Sequence, residues 1–125
     1  MTFRLYNSLS DKKEDFVPLR EGQVTLYVCG PTVYSDSHLG HAKTYVSFDV
    51  ILRYLKYRGL KPFYVQNITD VGHLVGDADE GEDKLLKRAR EVEQEPMAVA
   101  ETYTTRHFQA MDQMEVIRPD ICPRA

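Results

Sequence analysis

The stretch LYVCGPTVYSDSHLGHAKTY, residues 26–45, decides the fold. It begins inside an apolar, β-branched and aromatic run at residues 24–29, which predicts a strand. A Gly-Pro pair ends that strand directly after a cysteine, because proline cannot donate to a ladder. Two histidines then enclose a leucine and a glycine where a helical pattern begins. A nearly continuous apolar strand of this kind is typical of a buried parallel sheet.

The residues that follow the histidines predict a helix over about 39–58. Apolar side chains recur there at three- and four-residue steps, namely Tyr45, Phe48, Ile51, Leu52 and Leu55. Ser35 or Ser37 is the expected N-cap, and Gly59 is the expected C-terminal stop.

A second strand is predicted at residues 62–67, within PFYVQNI. A strand, a helix and a strand within about 45 residues make a βαβ unit with a right-handed crossover. The predicted fold class is therefore α/β, with the strands at 24–29 and 62–67 pairing in parallel.

The flanking segments predict smaller elements. Residues 3–6 suggest a short strand, and the polar segment 7–23 indicates a turn or hairpin. A helical pattern over 82–94 is interrupted by Pro96 and resumes over 97–114. We therefore expect the βαβ unit to be followed by helices.

The composition is that of an ordinary globular protein, and the net charge is −3. The chain as a whole therefore has no electrostatic attraction for nucleic acid, although a small basic patch is compatible with this average. The apolar runs are far shorter than the roughly 20 residues of a membrane span, and we expect no membrane association. The N-terminus lacks the apolar core of a secretory signal. Cys29 and Cys122 form no paired motif, which favours a reduced, cytoplasmic setting.

His38 and His41 are the first candidate site residues. They are three positions apart at a predicted helix start, where orphan N–H groups and the helix dipole favour an anion. Gly40 between them allows close approach of another group. Two imidazoles there can hydrogen-bond phosphate oxygens, which predicts a nucleotide-phosphate site. The alternative is a pair of solvated histidines at a helix start.

Cys29 and the NITD segment, residues 67–70, end the two predicted parallel strands. Open parallel sheets bind ligands at that edge, so Cys29, Thr69 and Asp70 are expected to face one crevice. Taken alone, however, Cys29 is better explained as a small buried hydrophobe, because one cysteine is not a metal site. The alternative for the NITD segment is simple turn chemistry.

The acidic segment GDADEGED, residues 76–83, does not fit a calcium-binding loop. With Asp77 as the first ligand, the sixth position is Glu82 instead of glycine and the twelfth is Arg88 instead of glutamate. His73, just before this segment, has no obvious partner. We interpret the segment as a solvated loop that caps the next helix.

Taken together, CGPTVY, HLGH and NITD, with RPDICPRA at the C-terminus, closely resemble the N-terminal part of bacterial cysteinyl-tRNA synthetases. These are class I enzymes with a Rossmann-type catalytic core. The family's usual His-Ile-Gly-His signature appears here as HLGH, and VGHL stands where the family often has acidic residues and a lysine. The resemblance covers essentially the whole chain and implies the first half of a Rossmann-type parallel sheet.

The resemblance implies a role for each candidate residue. His38, Gly40 and His41 would bind the ATP phosphates, with both histidines catalytic, while Gly30 and Thr69 would contact the substrate cysteine. Cys29 would be one of four ligands of a Zn²⁺ ion that binds the substrate thiolate. Zinc prefers sulfur to a hydroxyl, which would separate cysteine from serine.

The implied activity is cysteine–tRNA ligation: ATP, with Mg²⁺, activates cysteine as cysteinyl adenylate, and the cysteinyl group passes to tRNA(Cys). The family's remaining zinc ligands, its lysine-rich ATP loop and its anticodon-binding domain lie downstream of the matching region. We therefore expect a fragment that is inactive alone, with residues 1–115 forming the N-terminal half of the catalytic domain and residues 116–125 a truncated linker.

Three alternatives remain open at the level of sequence. A mycothiol-pathway ligase would join cysteine to glucosaminyl-inositol through the same adenylate. A small nucleotidylyltransferase would use the HxGH motif but would need neither Cys29 nor NITD. A non-enzymatic module would bind only ATP, cysteine or a partner.

Overall fold

The computed structural model describes residues 3–70 and 84–125. In chain order its elements are β1 (Arg4–Asn7), β2 (Lys12–Asp15), β3 (Gln23–Val28), α1 (Leu39–Tyr57), β4 (Lys61–Gln66), α2 (Lys84–Glu91) and α3 (Pro96–Gln113). β1 and β2 form an antiparallel hairpin, whereas β3 and β4 pair in parallel with α1 connecting them. The predicted α/β class, the βαβ unit and the following helices are confirmed.

The two ends of α1 illustrate one wrong and one correct prediction. The helix begins after His38, whose own side chain accepts the capping hydrogen bond, so neither Ser35 nor Ser37 is the N-cap. The choice among neighbouring polar residues depends on where the backbone turns into the helix. At the other end Gly59 has φ +79°, and its N–H donates to the carbonyl of Lys56 at 2.9 Å, as in a Schellman motif.

Two apolar clusters form the core among the described residues. The first joins β3, α1, β4 and the end of α3 through Val28, Tyr45, Leu52, Tyr64, Met111 and Val116. The second packs α2 and α3 against the loops that follow the strands, through Val33, Ile68, Leu85, Ala89, Val99, Ala100 and Tyr103. The helices therefore hold the carboxyl end of the sheet, where the candidate site residues lie.

Residues 116–125, expected to be a truncated linker, run alongside β4. The N–H of Asp120 donates to the carbonyl of Tyr64 at 2.8 Å, and the N–H of Ile68 donates to the carbonyl of Pro123 at 2.8 Å. The segment thus adds irregular parallel bridges to the sheet. Its prolines interrupt any ladder pattern, which is why sequence periodicity did not indicate this pairing. The domain boundary at residue 115 stays a prediction.

Candidate functional site

Cys29 lies directly after β3 with its thiol exposed, so the interpretation as a buried hydrophobe is wrong. The Sγ atom lies 3.8 Å from the carbonyl oxygen of Gly30, and the backbone carbonyl of Cys29 accepts a hydrogen bond from the hydroxyl of Tyr45 at 3.3 Å. The backbone of this residue is therefore anchored to α1 while its side chain remains accessible.

Gly30 is required where the ends of β3 and β4 meet. Its N–H donates to Oδ1 of Asn67 at 2.8 Å, and a Cβ atom at this position would lie 1.5 Å from the backbone oxygen of Asn67. No side chain can occupy that space, because real Cβ contacts are never so short. The glycine permits the two chain segments to touch.

Thr69 is hydrogen-bonded to this junction. Its N–H donates to the carbonyl of Pro31 at 3.0 Å, and its hydroxyl accepts from Nδ2 of Asn67 at 3.0 Å. The amide of Asn67 therefore bonds both Gly30 and Thr69, two candidate residues that the structure brings together. Sequence reasoning treated Asn67 as turn chemistry; its place at the end of a parallel strand was the available signal.

Asp70 is buried at the strand end, and the crevice expected for it stays a prediction. Its side chain is buried, and its Oδ2 lies 3.2 Å from Nη1 of Arg124 near the C-terminus. Arg124 also contacts Glu101 of α3 at 2.6 Å. This arrangement ties the strand end to the last residues of the chain, so the described geometry gives Asp70 a structural role.

His38 and His41 form a reciprocal cap at the start of α1. The Nδ1 atom of His38 accepts from the N–H of Gly40 at 3.0 Å, and the Nδ1 atom of His41 accepts from the N–H of His38 at 3.1 Å. Histidines thus take the two roles that serine or threonine and glutamate usually take in a capping box. Gly40 allows this, because its Cβ would lie 2.8 Å from the ring of His38.

The cap determines the tautomer that each ring adopts when it is neutral. A nitrogen that accepts a hydrogen bond carries no proton, so each neutral ring holds its proton on Nε2. Burial, and secondarily the neighbouring His38, lowers the pKa of His41. The ring centroids of the two histidines are 4.1 Å apart. The pair can therefore offer two Nε2–H donors to a ligand.

The cap also changes the expected anion site. The N–H of Gly40 is already bonded to His38 and is not available to a ligand in this arrangement. The first turn of α1 contains no acidic residue, so the positive end of the helix dipole is not neutralised locally. The imidazole Nε2–H groups remain as side-chain donors at this end of the helix.

Tyr45 links the histidines to the strand end. Its ring is stacked with that of His41, with centroids 6.5 Å apart and planes 12° apart, while its hydroxyl bonds Cys29. Burial raises the pKa of this hydroxyl, which therefore remains a donor. The structure thus connects Cys29 and His41 through one side chain, which the sequence had assigned only to the helix core.

His107 of α3 lies behind the cap and was also assigned only to a helical pattern. Its side chain is 2 % exposed, and its Nδ1 atom lies 2.8 Å from the hydroxyl oxygen of Ser37. Its ring packs edge-on against Tyr45 with centroids 5.2 Å apart. Burial, together with the neighbouring His41, lowers the pKa of His107 to about 4.

Within residues 3–70 and 84–125, no group of three or more His, Cys, Asp or Glu side chains could hold a metal ion. Cys29 therefore provides a single thiol, and the described residues do not by themselves fit a zinc site. In the same ranges, no helix is long and apolar enough to cross a membrane. His73 and the whole acidic segment at 76–83 lie outside the described residues.

Comparison of the sequence with known proteins identifies the family of the chain. The family model described as the tRNA synthetases class I (C) catalytic domain matches residues 15–125. The cysteine–tRNA ligase of Chlorobium chlorochromatii is 55 % identical to this chain over 100 % of its length. That of Chlorobaculum tepidum is 56 % identical over 99 % of the chain. The ligase of Thermus thermophilus is 54 % identical over 97 %.

The chain spans about a quarter of the length of these curated relatives: the match covers 26 % of the first two proteins and 25 % of the third. The resemblance recognised from the CGPTVY, HLGH and NITD motifs is confirmed across nearly the whole chain. The chain belongs to the family described as the tRNA synthetases class I (C) catalytic domain.

Proposed function

We propose that the natural protein containing this sequence is a cysteine–tRNA ligase, which activates cysteine with ATP and transfers it to tRNA(Cys). The observation that carries the proposal is the reciprocal His38–His41 cap at the start of α1, connected through Tyr45 to the exposed Cys29. The relatives that share this sequence carry the name of that enzyme.

In the proposed reaction, His38 and His41 donate hydrogen bonds from Nε2 to the phosphates of Mg²⁺–ATP. Donors fixed in place before the reaction stabilise charge that develops at the phosphate in the transition state. Both rings are held by the backbone of the first turn, so their orientation is set before ATP binds. Gly40 contributes by leaving space for the ring of His38.

Cys29 is proposed as one zinc ligand, with the remaining ligands coming from outside the described residues. A thiolate is a suitable soft ligand, and the exposure of this thiol leaves it accessible. Bound zinc would supply a Lewis-acid contact for the substrate thiolate. Gly30 and Thr69, which Asn67 joins at the strand ends, are proposed to contact the cysteine substrate.

The test is ATP–pyrophosphate exchange by the protein as its gene encodes it, with cysteine and serine as separate substrates. We expect exchange with cysteine and little with serine, followed by charging of tRNA(Cys). Exchange without tRNA charging, together with an amide formed between cysteine and the amino group of glucosaminyl-inositol, would favour the mycothiol-type ligase. No cysteine-dependent exchange would contradict both ligase proposals and leave the nucleotidylyltransferase or the binding module.

A cytoplasmic location follows from the proposal, because tRNA charging takes place where translation occurs. The two free cysteines, Cys29 and Cys122, are compatible with a reducing compartment. Cysteine, ATP and tRNA(Cys) are the proposed partners of the whole protein, and no membrane partner is proposed.

A further inference from the structure

His107 makes two contacts that lead to the two halves of the candidate site. Its Nδ1 atom bonds the hydroxyl of Ser37, the residue immediately before the N-cap His38. Its ring edge packs against Tyr45, which bonds the carbonyl of Cys29 and stacks with His41. A single side chain of α3 thus touches both the loop that leads into the cap and the residue that links it to β3.

An imidazole is a costly choice for this position if packing is its only role. Its Nε2 atom is buried and has no hydrogen-bond partner among the described residues. A buried polar atom without a partner destabilises the folded state. A phenylalanine ring would fill a similar volume and contact the same neighbours without that penalty. What phenylalanine cannot supply is the hydrogen bond to Ser37.

We propose that His107 is a positioning residue for adenylate formation: it holds Ser37 and Tyr45, and through them the imidazoles of His38 and His41. The proposal rests on the proposed function. In it His107 touches neither ATP nor cysteine. The geometry of the cap depends on where the backbone at Ser37 enters α1. His107, which lies 70 residues further along the chain, holds that backbone through its hydrogen bond to Ser37.

The experiment replaces His107 in the full natural protein. His107→Phe keeps the ring volume and removes the hydrogen bond, so we expect kcat for cysteine-dependent pyrophosphate exchange to fall on the order of 10²-fold, as for other misplaced catalytic groups. KM for ATP and cysteine should change little. The melting temperature should be equal to or above that of the wild type. If His107 had a purely structural role, activity would not be lost while the melting temperature is retained.

Three further variants make the test specific. His107→Asn places a polar atom near the position of Nδ1 and should recover much of the activity. Ser37→Ala should lower kcat by a similar factor, with no further loss in the double variant. Thr104→Val is the matched control: it removes another buried oxygen without a described partner, one turn earlier on α3, and should leave kcat unchanged.

Histidine-selective NMR of the imidazole Cε1–H groups provides a readout independent of activity. In His107→Phe the signals of His38 and His41 should shift, and in Thr104→Val they should not. Unchanged signals in His107→Phe would overturn the proposal, as would shifted signals with full exchange activity. If the wild type shows no cysteine-dependent exchange, the proposed function fails, and the imidazole signals alone decide whether His107 positions the cap.

Discussion

The backbone N–H of His38 donates to the Nδ1 atom of His41 at 3.1 Å, so the two histidines of the HLGH motif hold each other in place. The same contact fixes the proton of His41 on Nε2. The cap of the helix and the proposed phosphate donors are therefore the same side chains. A mutation at either position affects helix stability and chemistry together unless the replacement retains the cap.

The variants His38→Asn and His41→Gln separate these two roles. Asparagine is a good N-cap, and glutamine is a usual third residue of a capping box, so α1 should keep its start. Each variant loses an imidazole Nε2–H donor. We expect kcat for pyrophosphate exchange to fall by about 10²–10³-fold, with KM for cysteine little changed. Activity within a few-fold of wild type would show that the histidines only cap the helix.

Replacing Cys29 by serine in the full natural protein tests the proposed zinc ligand. A hydroxyl is a much poorer zinc ligand than a thiolate, so we expect loss of bound zinc and much weaker cysteine binding, with ATP binding little affected. Metal analysis and ligand titration measure these quantities. Cys122→Ala is the matched control, because that cysteine is half-buried against the second core cluster. Equal cysteine affinity in Cys29→Ser and wild type would remove Cys29 from the site.

The substitution Gly30→Ala should separate the ends of β3 and β4. Its Cβ would lie 1.5 Å from the backbone oxygen of Asn67, so the backbone itself must move. We expect a loss of at least about 2 kcal/mol in the free energy of unfolding, as for other overpacked sites. Denaturant unfolding measures it, with Cys29→Ala at the exposed neighbouring position as the control. A stability equal to wild type would contradict the described junction.

His107 predicts a pH-dependent loss of stability. Its pKa is about 4 in the folded protein, below the ordinary value near 6.5, so the unfolded chain binds the proton first as the pH falls. Its contribution to the free energy of unfolding is complete above about pH 6.5 and decreases by about 3 kcal/mol towards pH 4. The free energy of unfolding of wild type and of His107→Phe, measured at several pH values, isolates the contribution of His107. The carboxylates are the same in both proteins, so their contribution cancels in the difference. Parallel curves would contradict a buried, neutral His107.

The 125-residue chain taken alone should not activate cysteine. A catalytic zinc site needs about three protein ligands, and the described residues offer the thiol of Cys29 and no ligand cluster. We expect metal analysis of the isolated chain to show no stoichiometric zinc and pyrophosphate exchange to stay at background. Stoichiometric zinc together with cysteine-dependent exchange would show that these residues form a sufficient ligase.

Local patterns in the sequence determined the βαβ unit, and each predicted boundary lies within one residue of the observed one. The apolar run before Cys29 predicted β3, and the three- and four-residue spacing after His41 predicted α1. The second apolar run predicted β4 as the parallel partner of β3. These patterns depend only on neighbouring residues. Gly59 and Pro96 marked helix ends because their backbone preferences are intrinsic. The motifs were equally local and were sufficient to recognise the family.

Contacts between distant residues were decided only by the tertiary structure. Nothing local indicates that Asn67 joins Gly30, that Arg124 neutralises Asp70, or that Ser37 meets a histidine of α3. Such partners depend on how the elements pack, and packing is a property of the whole chain. For the same reason, periodicity alone could not identify His38 as the N-cap, place the thiol of Cys29 in solvent or align the C-terminal segment with β4.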